Sequence, residues 1–190
     1  MDAQTKHHLT PEEYLATERR SETRSEYLDG EMFAMTGGSR NHNLIVSNIV
    51  CELSLQLRNR PCEVYASDQR VRVPATGLYT YPDIIVACCE PQFEDEELET
   101  LLNPALLAEV LSPTTEAYDR GKKFEHYQTI PSLSEYLLVS QDSFRVEQYL
   151  RQDGNRWLLT AVTGLDGRLA LPSIQCEMVL AEVYDKVKLG

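Results

Sequence analysis

Residues 80–90 read TYPDIIVACCE and residues 106–113 read LLAEVLSP. Ile84 to Cys88 form a short run of apolar or small residues behind a proline, which reads as a buried β-strand. Asp83 stands at its head. In the second stretch Glu109 interrupts an equally apolar run. A carboxylate in such a strand costs several kcal/mol unless it is paired, hydrogen-bonded or bound to a metal. Strand parity puts Leu107, Glu109 and Leu111 on one face and Ala108 and Val110 on the other. Two acids in two greasy strands therefore ask for a common partner.

The surrounding chain supplies helices and further strands. Thr10-Pro11-Glu12-Glu13 opens a helix with a capping box. SEYLDGEMFAMTG forms two short runs around Asp29-Gly30, a hairpin signal. From Asn41 to Arg58, Ile45, Ile49, Leu53 and Leu57 recur every four residues, widened by Val46 and Val50, and predict a long helix. CEVYASDQRVRV (62–73) reads as one strand, ended by a turn at Pro74–Gly77. A helix is expected around 119–128, a strand at 135–140, and a second hairpin about Asp153-Gly154. A short terminal helix is expected over 178–186. The reading is one α/β domain over residues 1–190: a mixed β-sheet flanked by helices, with an added β-hairpin. It divides into an N-terminal helix and hairpin (10–36), a core (41–142) and a C-terminal hairpin and helix (144–188).

The totals narrow the class. The chain has 190 residues, 42% hydrophobic and 25% charged, with a net charge of −12. That charge argues against a non-specific coat on nucleic acid, whose affinity comes mostly from Lys and Arg, but leaves room for a local groove. No apolar run reaches the roughly 18 residues of a membrane span. No secretory h-region is visible, so a cytoplasmic protein without a membrane partner is expected. Five cysteines without a C-x-x-C pair read as small buried hydrophobes in a reducing compartment, not as a zinc or dithiol site. EPQFEDEELET (90–100) reads as a solvated acidic surface run.

Asp83 behind Pro82, with Glu109 further along, matches the pattern PD…(D/E)-x-K of metal-dependent nuclease cores. The lysine position is Leu111, so a cation must reach that point from elsewhere. The next helix carries Lys122 and Lys123 in DRGKKFEHY; Lys123 lies four residues before Tyr127, on one helix face. EYLDGEMFAMTGGSRNHN (26–43), YPDIIV (81–86), LLAEVLSPTTEAYDRGKKFEHYQTIPSLSEYLLVSQD (106–142) and RVEQY (145–149) together resemble the Uma2-type restriction-endonuclease family, a former domain-of-unknown-function family within the PD-(D/E)XK superfamily. The resemblance implies a restriction-endonuclease-like fold and a Mg²⁺- or Mn²⁺-dependent endonuclease acting on nucleic acid, DNA first. Asp83 and Glu109 carry over as metal ligands and catalytic residues, and Lys123 as the migrated catalytic lysine. Glu31, His42 and Tyr127 are additional candidates. Where relatives often carry an acid after the strand, this chain has Ser140. A homodimer is expected as a partner state. The alternative reading is an inactive nuclease-like scaffold that binds nucleic acid or protein.

Overall fold

A computed structural model describes residues 8–97 and 99–189; residues 1–7, Leu98 and Gly190, inside the domain expected over 1–190, lie outside the described residues. Helix α1 (Pro11–Glu18) starts at Thr10 with the full capping box. Strands β1 (Ser25–Leu28) and β2 (Glu31–Ala34) form the first hairpin. Its turn residues Asp29 and Gly30 both have positive φ, 49° and 83°, the geometry that Asp-Gly supplies. Helix α2 (Arg40–Leu57) follows, capped by Ser39 and burying Ile45, Val46, Ile49, Leu53 and Leu57.

Next come β3 (Cys62–Ala66), β4 (Arg70–Val73), β5 (Leu78–Thr80), β6 (Ile84–Cys88), β7 (Thr100–Leu101) and β8 (Leu106–Leu111). The helical stretch after β8 has three parts: α3 (Glu116–Tyr118), a π-helical turn (Asp119–Lys123) and α4 (Phe124–Tyr127). Then follow β9 (Glu135–Ser140), β10 (Arg145–Gln152), β11 (Arg156–Thr163), β12 (Arg168–Leu171), β13 (Cys176–Val179) and α5 (Leu180–Val183).

Two sheets organise the molecule. The larger has the order β11-β10-β9-β8-β6-β3, and the smaller β2-β1-β5-β4-β7. Both are mixed: β8–β9 and β4–β7 run parallel, the other pairs antiparallel. The fold is a mixed α/β architecture with helices on the sheet faces. Alternation along β6, β8 and β9 feeds two cores. Ile84, Val86, Leu106, Ala108, Val110, Leu137 and Val139 pack with α2 and the terminal hairpin. Ile85, Ala87, Leu107, Leu111, Tyr136 and Leu138 pack with Phe124, Tyr127 and residues Val71, Val73 and Leu78 of the smaller sheet. The central strands are covered on both faces, which is why they read as continuous apolar runs.

Several expectations are corrected. Residues 62–73 are two strands in different sheets, separated at Ser67–Gln69; alternation continues across a turn that contains neither Gly nor Pro. The C-terminal stretch forms the β12–β13 hairpin, leaving only Leu180–Val183 helical. The acidic run is held by arginines: Arg19 pairs with Asp95, Glu97 and Glu99, and Arg72 with Glu94. Cys62 and Cys88, expected as free thiols, form a disulfide. They face each other in the β3–β6 ladder, a neighbourhood that their spacing alone does not announce.

The disulfide closes a loop with a sequence separation of 26. Alkylation of the unreduced, denatured protein should modify three thiols, Cys51, Cys89 and Cys176, and prior reduction should expose all five. The Cys62→Ala/Cys88→Ala double variant should lose about 2–4 kcal/mol in urea unfolding. The difference should vanish when both proteins are measured in reductant.

Candidate active site

The β6–β8 register ends at Ile84↔Ala108; one residue further along each chain stand Asp83, just before β6, and Glu109, within β8. Directly opposed residues of antiparallel strands project to the same face. Glu109 therefore shares the face of Ile85 and Leu107, under the smaller sheet and α4, and Asp83 stands at the end of that ladder beside it. Asp83 Oδ2 accepts the Val110 backbone N–H at 2.8 Å and lies 3.1 Å from His42 Nε2. His42 opens α2, where the Ser39 hydroxyl accepts its backbone N–H. Burial works against the imidazolium, but the hydrogen bond and charge of Asp83 outweigh it and hold the His42 pKa above its ordinary value.

Glu109 is buried, 4% exposed. Its Oε1 accepts from Lys123 Nζ at 3.0 Å and from the Tyr127 hydroxyl at 2.8 Å. Lys123 Nζ also lies 3.0 Å from Glu26 Oε1 and 3.6 Å from Asp119 Oδ1. Lys122 is exposed. Such π-turns widen a helix by one residue and recur at functional sites. This one aims Asp119 and Lys123 at the same point while Tyr127, in α4, still reaches Glu109. The Thr80 hydroxyl donates to Glu26.

Burial works against the Lys123 ammonium, yet Glu109, Glu26 and Asp119 outweigh it and hold its pKa well above the ordinary value. Burial pushes the Glu109 carboxyl up to about 8 against the pull of Lys123, with Asp119 and Asp83 adding to the rise. Asp119 is raised by burial as well. Burial, then Glu109 and Glu26, keep the Tyr127 phenol protonated as a donor.

Of the residues singled out in the sequence, the structure brings together Asp83, Glu109, Lys123, His42 and Tyr127. Glu31 opens β2 opposite Leu28, on the hairpin face that carries Glu26 but beside the turn. Leu111 packs in the core, so the lysine position of the strand is closed by apolar contact. The Ser140 hydroxyl accepts the N–H groups of Asp142 and Ser143, and neighbouring Gln141 joins Leu111 O to the Ser39 hydroxyl. Three residues of the cluster escaped the sequence reading: Glu26, Thr80 and Asp119. Asp119 and Lys123, spaced four apart, carried a usable signal. Glu26 looked like an ordinary polar position of a hairpin strand.

The chain matches the family described as "Putative restriction endonuclease", Uma2, over residues 11–181. It belongs to the Uma2 family. It is 40% identical over 156 residues to "Uncharacterized protein sll1609" of Synechocystis sp., covering 82% of this chain and 88% of that one. It is 39% identical over 176 residues to "Uncharacterized protein slr1290" of the same organism, covering 93% and 91%. A crystal structure described as a putative nuclease belonging to DUF820, from Anabaena variabilis, superposes with a TM-score of 0.77 at 19% identity, covering 95% of this chain and 99% of that one. That likeness establishes a shared fold.

Two outcomes test the site as a physical unit. Lys123→Met leaves three carboxylates without their cation and should cost about 3–5 kcal/mol in urea unfolding; adding Glu109→Gln should recover part of the loss. Gly38 lies against His42, where a Cβ would stand 2.5 Å from Nδ1. Gly38→Ala should therefore push the ring off Asp83. The His42 pKa, followed by NMR titration, should fall towards the ordinary value near 6.5.

Proposed function

We propose that this protein is a nuclease that hydrolyses phosphodiester bonds of nucleic acid, DNA first, with Mg²⁺ or Mn²⁺, in the cytoplasm. One observation carries the reading: Asp83 accepts the Val110 N–H at 2.8 Å, next to Glu109, and the Lys123 ammonium lies 3.0 Å from Glu109. The descriptions of the Uma2 family and of the Anabaena protein point the same way.

The donor set fits a hard divalent ion. Among the described residues no group of three His, Cys, Asp or Glu side chains could hold a metal alone. Mg²⁺ commonly takes only one or two carboxylates and completes its shell with water and substrate phosphate oxygens. Asp83 and Glu109 would be that pair, each already oriented through one oxygen by its neighbours. When bound, the ion would make a coordinated water nucleophilic and neutralise charge gathering on the phosphate.

The chain's own residues divide the remaining work. His42 and the Val110 N–H fix Asp83, and Tyr127 fixes Glu109. Lys123 supplies a permanent positive charge beside the reacting phosphate. Glu26 and Asp119 help Glu109 hold that ammonium in place. The same closure of Nζ by three carboxylates favours a second reading, a nuclease-like scaffold that binds nucleic acid or protein without cleaving it.

Calorimetry with Mn²⁺ should show saturable binding to the wild type and none to Asp83→Asn or Glu109→Gln. Cleavage of a DNA and RNA panel should fall at least 10²-fold in both, about 2.7 kcal/mol of transition-state stabilisation. Equal Mn²⁺ binding by all three proteins would place the ion elsewhere. A wild type inert with both metals would select the scaffold.

A further inference from the structure

Strand β11 is the outer strand of the six-stranded sheet and pairs with β10 on one side only. Its register runs unbroken from Gln152↔Arg156 to Arg145↔Thr163, so no bulge bends it away. Its sequence, RWLLTAVT, has no proline, no acid and a single charge at its first position. Leu158 and Leu159 are 54% and 51% exposed; being successive, they make both faces of the strand apolar at the rim. Among the described residues no backbone hydrogen bond from a loop or turn reaches 156–163.

Natural sheets blunt their edges with short strands, charges, prolines or bulges. The other outer strands of these two sheets do so. β3 has five residues and carries Glu63, β2 has four and opens on Glu31, and β7 has two. β11 has eight residues, and of these devices it carries only the charge of Arg156 at its first position, leaving 157–163 without any. An edge left open over that length is a pairing template.

Charge selects the occupant. Two copies of a chain with net charge −12 repel wherever acids face each other, and β11 is an acid-free strip. A basic partner would instead be steered to the acidic surface. Antiparallel self-pairing about a two-fold axis sets this neutral strip against itself and sends the two Arg156 side chains to opposite ends, an isologous contact. We infer that β11 is the dimer interface, joining the six-stranded sheets of two copies edge to edge. This rests on the edge alone and stands apart from the nuclease reading.

Sedimentation equilibrium tests it. The mass of the wild type should climb with concentration from 21.7 kDa towards twice that value. Leu159→Lys and Leu159→Glu, both folded by circular dichroism, should each weaken self-association at least tenfold, and their 1:1 mixture should restore it as a heterodimer. Leu158→Lys and Leu158→Glu repeat the test from the other face. A wild type that stays at the mass of one chain to its solubility limit overturns the inference. So does a dimer indifferent to all four variants, or a mixture of opposite charges that fails to re-associate.

Discussion

The ammonium of Lys123 is drawn to Glu26 from β1, Glu109 from β8 and Asp119 from its own π-turn. Lys123 is 5% exposed. A charge so deeply placed is tolerated only when its partners are fixed and close. Those partners come from the smaller sheet, the larger sheet and the helix between them. The cluster therefore ties three layers together at one point. It also forces details that otherwise look arbitrary: the π-turn, the buried hydroxyl of Thr80 directed at Glu26, and the phenol of Tyr127 directed at Glu109. Each satisfies a carboxylate oxygen or aims a donor that the apolar surroundings could not supply.

The sheet makes this arrangement possible because its two faces do different jobs. The face towards α2 and the terminal hairpin is apolar across β6, β8 and β9 except at buried Glu135, whose carboxylate accepts from Gln148 and the Ser173 N–H. The opposite face is apolar only until the strands approach the β1–β2 hairpin, where Asp83 and Glu109 replace hydrophobic residues. A one-residue slip in the β6–β8 register would bury Glu109 against α2, with no cation nearby. The acids thus specify register as well as chemistry. The added hairpin follows the same logic, since it carries the carboxylate that completes the cage around Lys123.

Much of this was legible from residue pattern. Asp83 and Glu109 stood out because each broke an apolar run, and Lys123 because the strand's own lysine position was Leu111. The α2 stripe, the capping box at Thr10 and the Asp29-Gly30 turn each rest on local rules that tertiary context did not override. What stayed hidden depended on neighbours distant in sequence. Glu26 alternates with Tyr27 as any solvent-facing acid would, and only the β1–β5 pairing brings it near Thr80. The Cys62–Cys88 bond needs the β3–β6 register. The acidic run does lie at the surface, with Glu90, Glu96 and Glu97 exposed, but its pairing with Arg19 and Arg72 from two remote elements was not readable from the run itself. The division of residues 62–73 between sheets was masked by alternation that continues through the turn.

The local balance of charge sets an order of events for the proposed nuclease. Glu26, Glu109 and Asp119 surround a single lysine, Asp83 stands nearby against His42, and burial disfavours charge on Glu109 and Asp119. A polyanion meeting this cluster would face net repulsion in a setting where water screens little. Lys123 cannot reverse that balance, because its charge is already shared among three carboxylates. A divalent ion between Asp83 and Glu109 would relieve the repulsion within the site and that against the phosphate together. On this reading the metal precedes the substrate, and the chain's acidity acts as a filter against nucleic acid until the ion is in place.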